Sequence, residues 1–226
     1  MGLQSWSKGL TSNLSRIEIT FLICFIVMCI IDLSRDYILS NYINTTERFA
    51  NFLRMLTDST IHSFIGVMTW LTVDRMAPEI ETDVGLTIRE EVLVTYLMCA
   101  GIDIDHFIAA RSFFFIDAAN LQTRSGLFAH NIIFPIFMFT FFRHACGRSR
   151  LAALLFSSII SHQIRDATRT GIQFLPFGAS PPVPYILYFS IIAFLPRFLV
   201  AFMRREASLL KSRFIDEDSS GKLDNV

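Results

Sequence analysis

Six apolar blocks follow one another along this 226-residue chain, and they constrain its fold more than any other feature. The block at 17–31 carries no charge beyond Glu18, and further blocks lie at 61–73, 92–102, 132–142, 151–160 and 185–202. A helix needs roughly 20 mostly apolar residues to cross hydrocarbon, with about 17 the lower end. The last block meets that length, and the first meets it as the span 16–34. The middle ones reach it only when the polar residues at their ends are drawn into the helices, as in a bundle with a polar site between its helices. Hydrophobic residues make up 52% of the chain and phenylalanine occupies 23 positions, more than an ordinary soluble domain carries. The expected fold is all-α, a polytopic membrane bundle with spans at about 16–34, 60–76, 88–110, 127–143, 150–167 and 184–203.

This reading divides the chain into a cytosolic segment (1–15), the six-span bundle (16–203) and a cytosolic, partly disordered tail (204–226). The first block lacks a small-residue cleavage site and is expected to be retained as a span. With six spans both termini share a side. Twelve lysines and arginines fall on that side and seven on the other, with Arg197 inside the last span, so both termini are expected to be cytosolic. Phe49, Phe52, Leu53 and Leu56 recur at helical spacing between the first two spans, as in a short interfacial helix or a packing helix. Residues 74–91 are acidic and read most simply as a solvated loop. The net charge is zero, which gives no signal for nucleic acid. The four cysteines show no CxxC spacing and imply no disulfide framework. Asn44, in Asn44-Thr45-Thr46, is a glycosylation acceptor on the side expected to be non-cytosolic.

Four of the five histidines sit in polar clusters at the ends of apolar blocks: His62, His106 within Asp103-Ile104-Asp105-His106, His130, and His162 within Ser161–Asp166. Ionisable groups are expensive in or near hydrocarbon, so they mark function by default. In an alternating bundle all four clusters fall on one membrane face. Asp103 and His106 are spaced i,i+3, and His162 and Asp166 i,i+4, so each pair shares a helix face. His62, Asp103, His106, His130, His162 and Asp166 form an oxygen and nitrogen ligand set suited to one or two divalent ions, zinc or manganese foremost and magnesium besides. Asp105 would orient an imidazole or act as general base. Arg165 and Arg169 would hold an anionic group, Arg169 at the reacting centre. A site at the interface with the lipid bilayer suggests an amphiphile, such as a phospholipid or lipid phosphate, as substrate. The competing reading is a non-catalytic membrane protein that keeps the polar network for structure.

The Asp103-Ile104-Asp105-His106 and Ser161-His162-x-x-x-Asp166 stretches resemble a bacterial inner-membrane family described as metal-dependent hydrolases, small helical bundles with DxDH, HRGxTH and SHxxxD motifs. Where HRGxTH has its first histidine this chain has Ser125, and His130 matches the second. More closely, the chain resembles the animal transmembrane protein 267 family. That resemblance rests on Asp58, His62, Trp70, residues 102–107, His130, residues 161–166, Arg169, Gly171 and Pro176-Phe177-Gly178. The bacterial resemblance implies metal-dependent hydrolysis; the animal one implies no established reaction.

Overall fold

The computed structural model describes residues 16–42, 47–80, 82–112, 128–174 and 176–223. The regular elements among the described residues are all helices, with no strand. In chain order they form α1 (Arg16–Tyr42), α2 (Glu47–Met76), α3 (Ile88–Gly101), α4 (Ile104–Ala110), α5 (Ile133–Thr140), α6 (Ser149–Thr170) and α7 (Tyr185–Leu223). A π-turn at Phe141–Ala145 carries α5 onward.

Local chemistry sets the helix ends. Thr87 caps α3 through a capping box with Glu90, satisfying two of the amide donors that a helix start leaves open. Asp83, distant in sequence, accepts from the amides of Arg150 (2.7 Å) and Leu151 (3.3 Å) and so caps α6. At the other end of α6, Gly171 takes φ 76°. A side chain there would run into the Ser180 carbonyl. That close approach seats the 171–184 loop against the end of the helix.

Helix α6 is the hub. It packs against α2, α3, α5 and α7, and fifteen of its twenty-two residues are buried, among them Ser157, Ser158, Ser161, His162, Gln163 and Arg165. The outside of the bundle is apolar instead: Ile23 and Ile30 on α1, Leu93 and Leu97 on α3, Ile133 and Phe137 on α5, and Phe194 and Phe198 on α7 are all exposed. Buried polar groups on α6 beside an apolar core, with this many aliphatic and aromatic groups exposed, depart from the pattern of a water-soluble domain. Among the described residues two stretches are long and apolar enough to cross a membrane, Ile88–Ala110 and Tyr185–Leu209; Glu18–Ile31 and Ile133–Ala145 are shorter apolar helices.

Several expectations need correction. The stretch around Phe52 and Leu56 is not a separate interfacial helix but the first turns of α2. No Gly or Pro interrupts 47–76 up to Gly66, and the Thr57 and Thr60 hydroxyls bond back to the Leu53 and Leu56 carbonyls within the helix. The 88–110 block breaks at 101–103 into α3 and α4. The acidic 74–91 stretch is not merely a solvated loop, because Asp74, Asp83 and Glu91 all bond Arg150. Helix α7 runs on to Leu223, through much of the polar tail. Residues 1–15, Asn44 and Ser125 lie outside the described residues.

Candidate metal centre

Two interruptions of regular helix build the site. Where α3 ends at Gly101, the chain turns through Ile102 and Asp103 before α4 begins, and Asp103 and Asp105 both come to address the His130 ring. Residues 128–132 form a non-helical turn ahead of α5, and this turn carries His130. Gln163 of α6 holds it by donating to the carbonyls of Ala129 (2.6 Å) and Asn131 (3.1 Å). The remaining residues come from unbroken helix: Asp58 and His62 one turn apart on α2, His162 and Asp166 one turn apart on α6.

His130 and His162 are each anchored from behind. Nδ1 of His162 lies 2.8 Å from the Cys99 carbonyl. A carbonyl only accepts, so that nitrogen carries the proton and donates. Nδ1 of His130 lies 3.0 Å from Oδ2 of Asp105, which also accepts from the Ala129 amide at 3.1 Å. With Nδ1 committed in both rings, both Nε2 atoms turn toward the same two carboxylates. Nε2 of His130 stands 3.2 Å from Asp166 and 3.5 Å from Asp103. Nε2 of His162 stands 3.4 Å from Asp103 and 3.6 Å from Asp166. Both nitrogens are buried and neither makes a hydrogen bond.

These separations fit a cation. Two donors about 2.1 Å from a tetrahedral zinc ion lie about 3.3 Å from each other. The four N···O distances here, 3.2–3.6 Å, bracket that edge length. Asp103, His130, His162 and Asp166 each present one donor atom to a common volume. Carbonyl and carboxylate partners on the far nitrogens are the outer-shell contacts that fix a ligating imidazole's tautomer and orientation.

The other residues singled out from the sequence fall around this core. The His62 ring stacks on His162 at 3.9 Å between centroids. His106 meets the His130 ring edge-on at 4.8 Å and belongs to a group with Asp105 and His130; since Nδ1 of His130 already pairs with Asp105, His106 stands beside the four-donor set rather than in it. Arg165 is buried and bonds Asp58 at 2.6 Å. Arg169, at the rim, grips both oxygens of Asp58 at 2.9 and 3.1 Å.

Sequence reading overlooked Asp58 and Gln163 as site residues. Asp58 had a signal, its i,i+4 spacing from His62. Gln163 had none, since its role depends on a turn more than thirty residues away. A cleft of about 10 Å³, the room one water needs, opens beside His130, Asp166 and Thr170.

The chain is 36% identical over 155 residues to transmembrane protein 267 of Xenopus laevis, an alignment covering 65% of this chain and 67% of that protein. This chain belongs to the transmembrane protein 267 family. The Danio rerio and Bos taurus members are 34% and 33% identical, over 64% of this chain in each case and 65% and 66% of their own lengths. The matched part thus spans about two thirds of these relatives. No family model matches the chain, and no solved structure matches it. The family's name and the two apolar helices together make this a membrane protein.

Proposed function

We propose that this membrane protein binds a divalent metal ion, zinc or manganese, on Asp103, His130, His162 and Asp166, and uses it to hydrolyse an amphiphilic or phosphate-bearing substrate. The observation that carries this reading is the four-donor set itself. Its members stand at ligand spacing, make no hydrogen bonds to one another, and include two imidazoles held from behind.

In this reading the chain crosses the bilayer six times with both termini cytosolic. Helix α6 escapes the cost of its polar residues because its neighbours, not lipid, surround it. The imidazoles are sealed inside, while the Asp103 side chain keeps 27% of its exposure and so marks the side from which substrate arrives. A bound divalent ion would supply a Lewis acid and make a neighbouring water nucleophilic near neutral pH. Asp105 keeps the His130 ring turned inward. The cleft at His130 and Asp166 gives a water its place. Arg169 stands where an anionic headgroup would dock, with Arg165 behind it fixing Asp58.

The commitment of both guanidiniums to Asp58 favours a second reading, in which the centre binds metal for stability alone. One experiment separates them. Full-length protein purified in detergent is assayed for metal, then for release of phosphate from phosphatidate in mixed micelles, beside His162→Ala. Stoichiometric metal and turnover, both lost in the variant, support the hydrolase. Metal without turnover on phosphate or carboxyl esters leaves the structural reading. Metal-free protein that takes up none on addition overturns both.

A further inference from the structure

Beside the four-donor set lies a second group, Asp58, His62 and Asp166, each offering one donor atom within 4.8 Å of the others. His62 is 1% exposed, and neither of its ring nitrogens has a hydrogen-bond partner. Its Nε2 lies 3.2 Å from Oδ1 of Asp166 and 3.8 Å from Oδ2 of Asp58. Leaving a buried imidazole unsatisfied at both nitrogens is costly, so native folds seldom do it without a reason.

Asp166 divides its oxygens between the two groups. Oδ1 faces His62, whereas Oδ2 faces His130 and His162. That is how a carboxylate spans two cations, which in two-ion hydrolytic sites sit roughly 3.5–4 Å apart. The two groups also differ in what they leave open. The three-donor group leaves more of an ion's coordination open to water or substrate than the four-donor group does.

Charge balance points the same way. Asp58, Asp103, Asp105 and Asp166 bring four negative charges, and Arg165 and Arg169 bring two positive ones. With neutral imidazoles the cluster carries a net charge of two minus, which one divalent ion cancels. A second ion leaves two positive charges in excess, and those call for an anionic ligand. Arg169, 36% exposed, stands beside the three-donor group where such a ligand would arrive.

We infer that, if the metal centre proposed above holds, the chain carries two divalent ions bridged by Asp166. The second sits on His62, Asp58 and Asp166, and with Arg169 it recruits a phosphate group. This second position is the one that meets substrate.

The test loads the detergent-purified full chain with manganese, with and without inorganic phosphate, and reads both bound metal and the low-temperature electron paramagnetic resonance spectrum. Two manganese ions per chain with an exchange-coupled spectrum, the second binding more tightly when phosphate is present, are expected. His62→Phe keeps the ring stacked on His162 but removes the donor, and should bind one manganese with an isolated-ion spectrum. One ion per wild-type chain, or two without coupling, overturns the bridged pair but leaves the four-donor centre standing. Two ions retained in His62→Phe also overturn it. No manganese at all overturns the centre itself. Should the variant fail to fold, the wild-type stoichiometry and spectrum decide alone.

Discussion

Two buried charged clusters occupy this bundle, and they are built on opposite principles. In one, Arg150 of α6 is completely answered. It donates to both oxygens of Glu91 (2.8 and 2.7 Å), to Asp74 (2.8 Å) and to the Ile80 carbonyl (2.8 Å). Trp70 donates to the same Glu91 at 3.0 Å and lays its ring 5.3 Å from the guanidinium. In the other, at His130 and His162, two buried imidazole nitrogens converge on the carboxylates of Asp103 and Asp166 at 3.2–3.6 Å. The first cluster is complete as it stands and serves the fold. The second has the donor spacing of a cation site. Counting charges would not separate them; the direction in which each donor and lone pair points does.

This contrast can be broken in four ways. The largest effect is expected at the self-sufficient end. Arg150→Met leaves buried Glu91 with no countercharge and should cost about 3–5 kcal/mol, with or without metal, in chemical unfolding of micelle-embedded protein. A variant that loses stability only when metal is present would mean that the two clusters are coupled. Next comes the metal-dependent end. Saturating zinc or manganese should stabilise the wild type by about 2.7 kcal/mol at a hundredfold excess over Kd, a gain absent from His162→Ala and abolished by chelator. Equal gains in both proteins would count against the four-donor set.

Asp105→Asn tests the support behind His130. Removing an outer-shell carboxylate should weaken metal binding roughly 10–100-fold while leaving metal-free stability close to wild type, as titration calorimetry would reveal. Unchanged affinity would mean that Asp105 does not orient the ring. The smallest effect is expected at Thr87→Ala, which removes the cap of α3 beside Glu91 and should cost about 1 kcal/mol with metal affinity untouched. Any loss of metal there would show that the Arg150 end transmits strain along α3 to the turn at Asp103.

Much of the His/Asp cluster was legible because of where its residues lie. Imidazoles and carboxylates at the ends of apolar blocks stand out, so His62, Asp103, His130, His162 and Asp166 could be picked from the chain. The Arg150 cluster was illegible for the opposite reason. Asp74, Asp83 and Glu91 belong to an acidic, loop-like stretch, and composition alone sends such a stretch to solvent. Only the packing of α2 and α3 on α6 turns Asp74 and Glu91 onto the Arg150 guanidinium and Asp83 onto the start of α6. Asp103 and Asp105 teach a similar lesson. Read as positions on a continuous helix they diverge, but the break after Gly101 lets them address the two nitrogens of one ring.

The sequence by itself determined the helical class, the apolar exterior and the chemical kind of the buried site, because burial preference and helical periodicity act over a few residues at a time. The tertiary structure decided which nitrogen faces which oxygen, that Asp58 pairs with both buried Arg165 and Arg169 at the rim, and that Asp166 faces two donor groups at once. Those relations depend on distances of a few ångströms between helices far apart in the chain, and no local rule sets them.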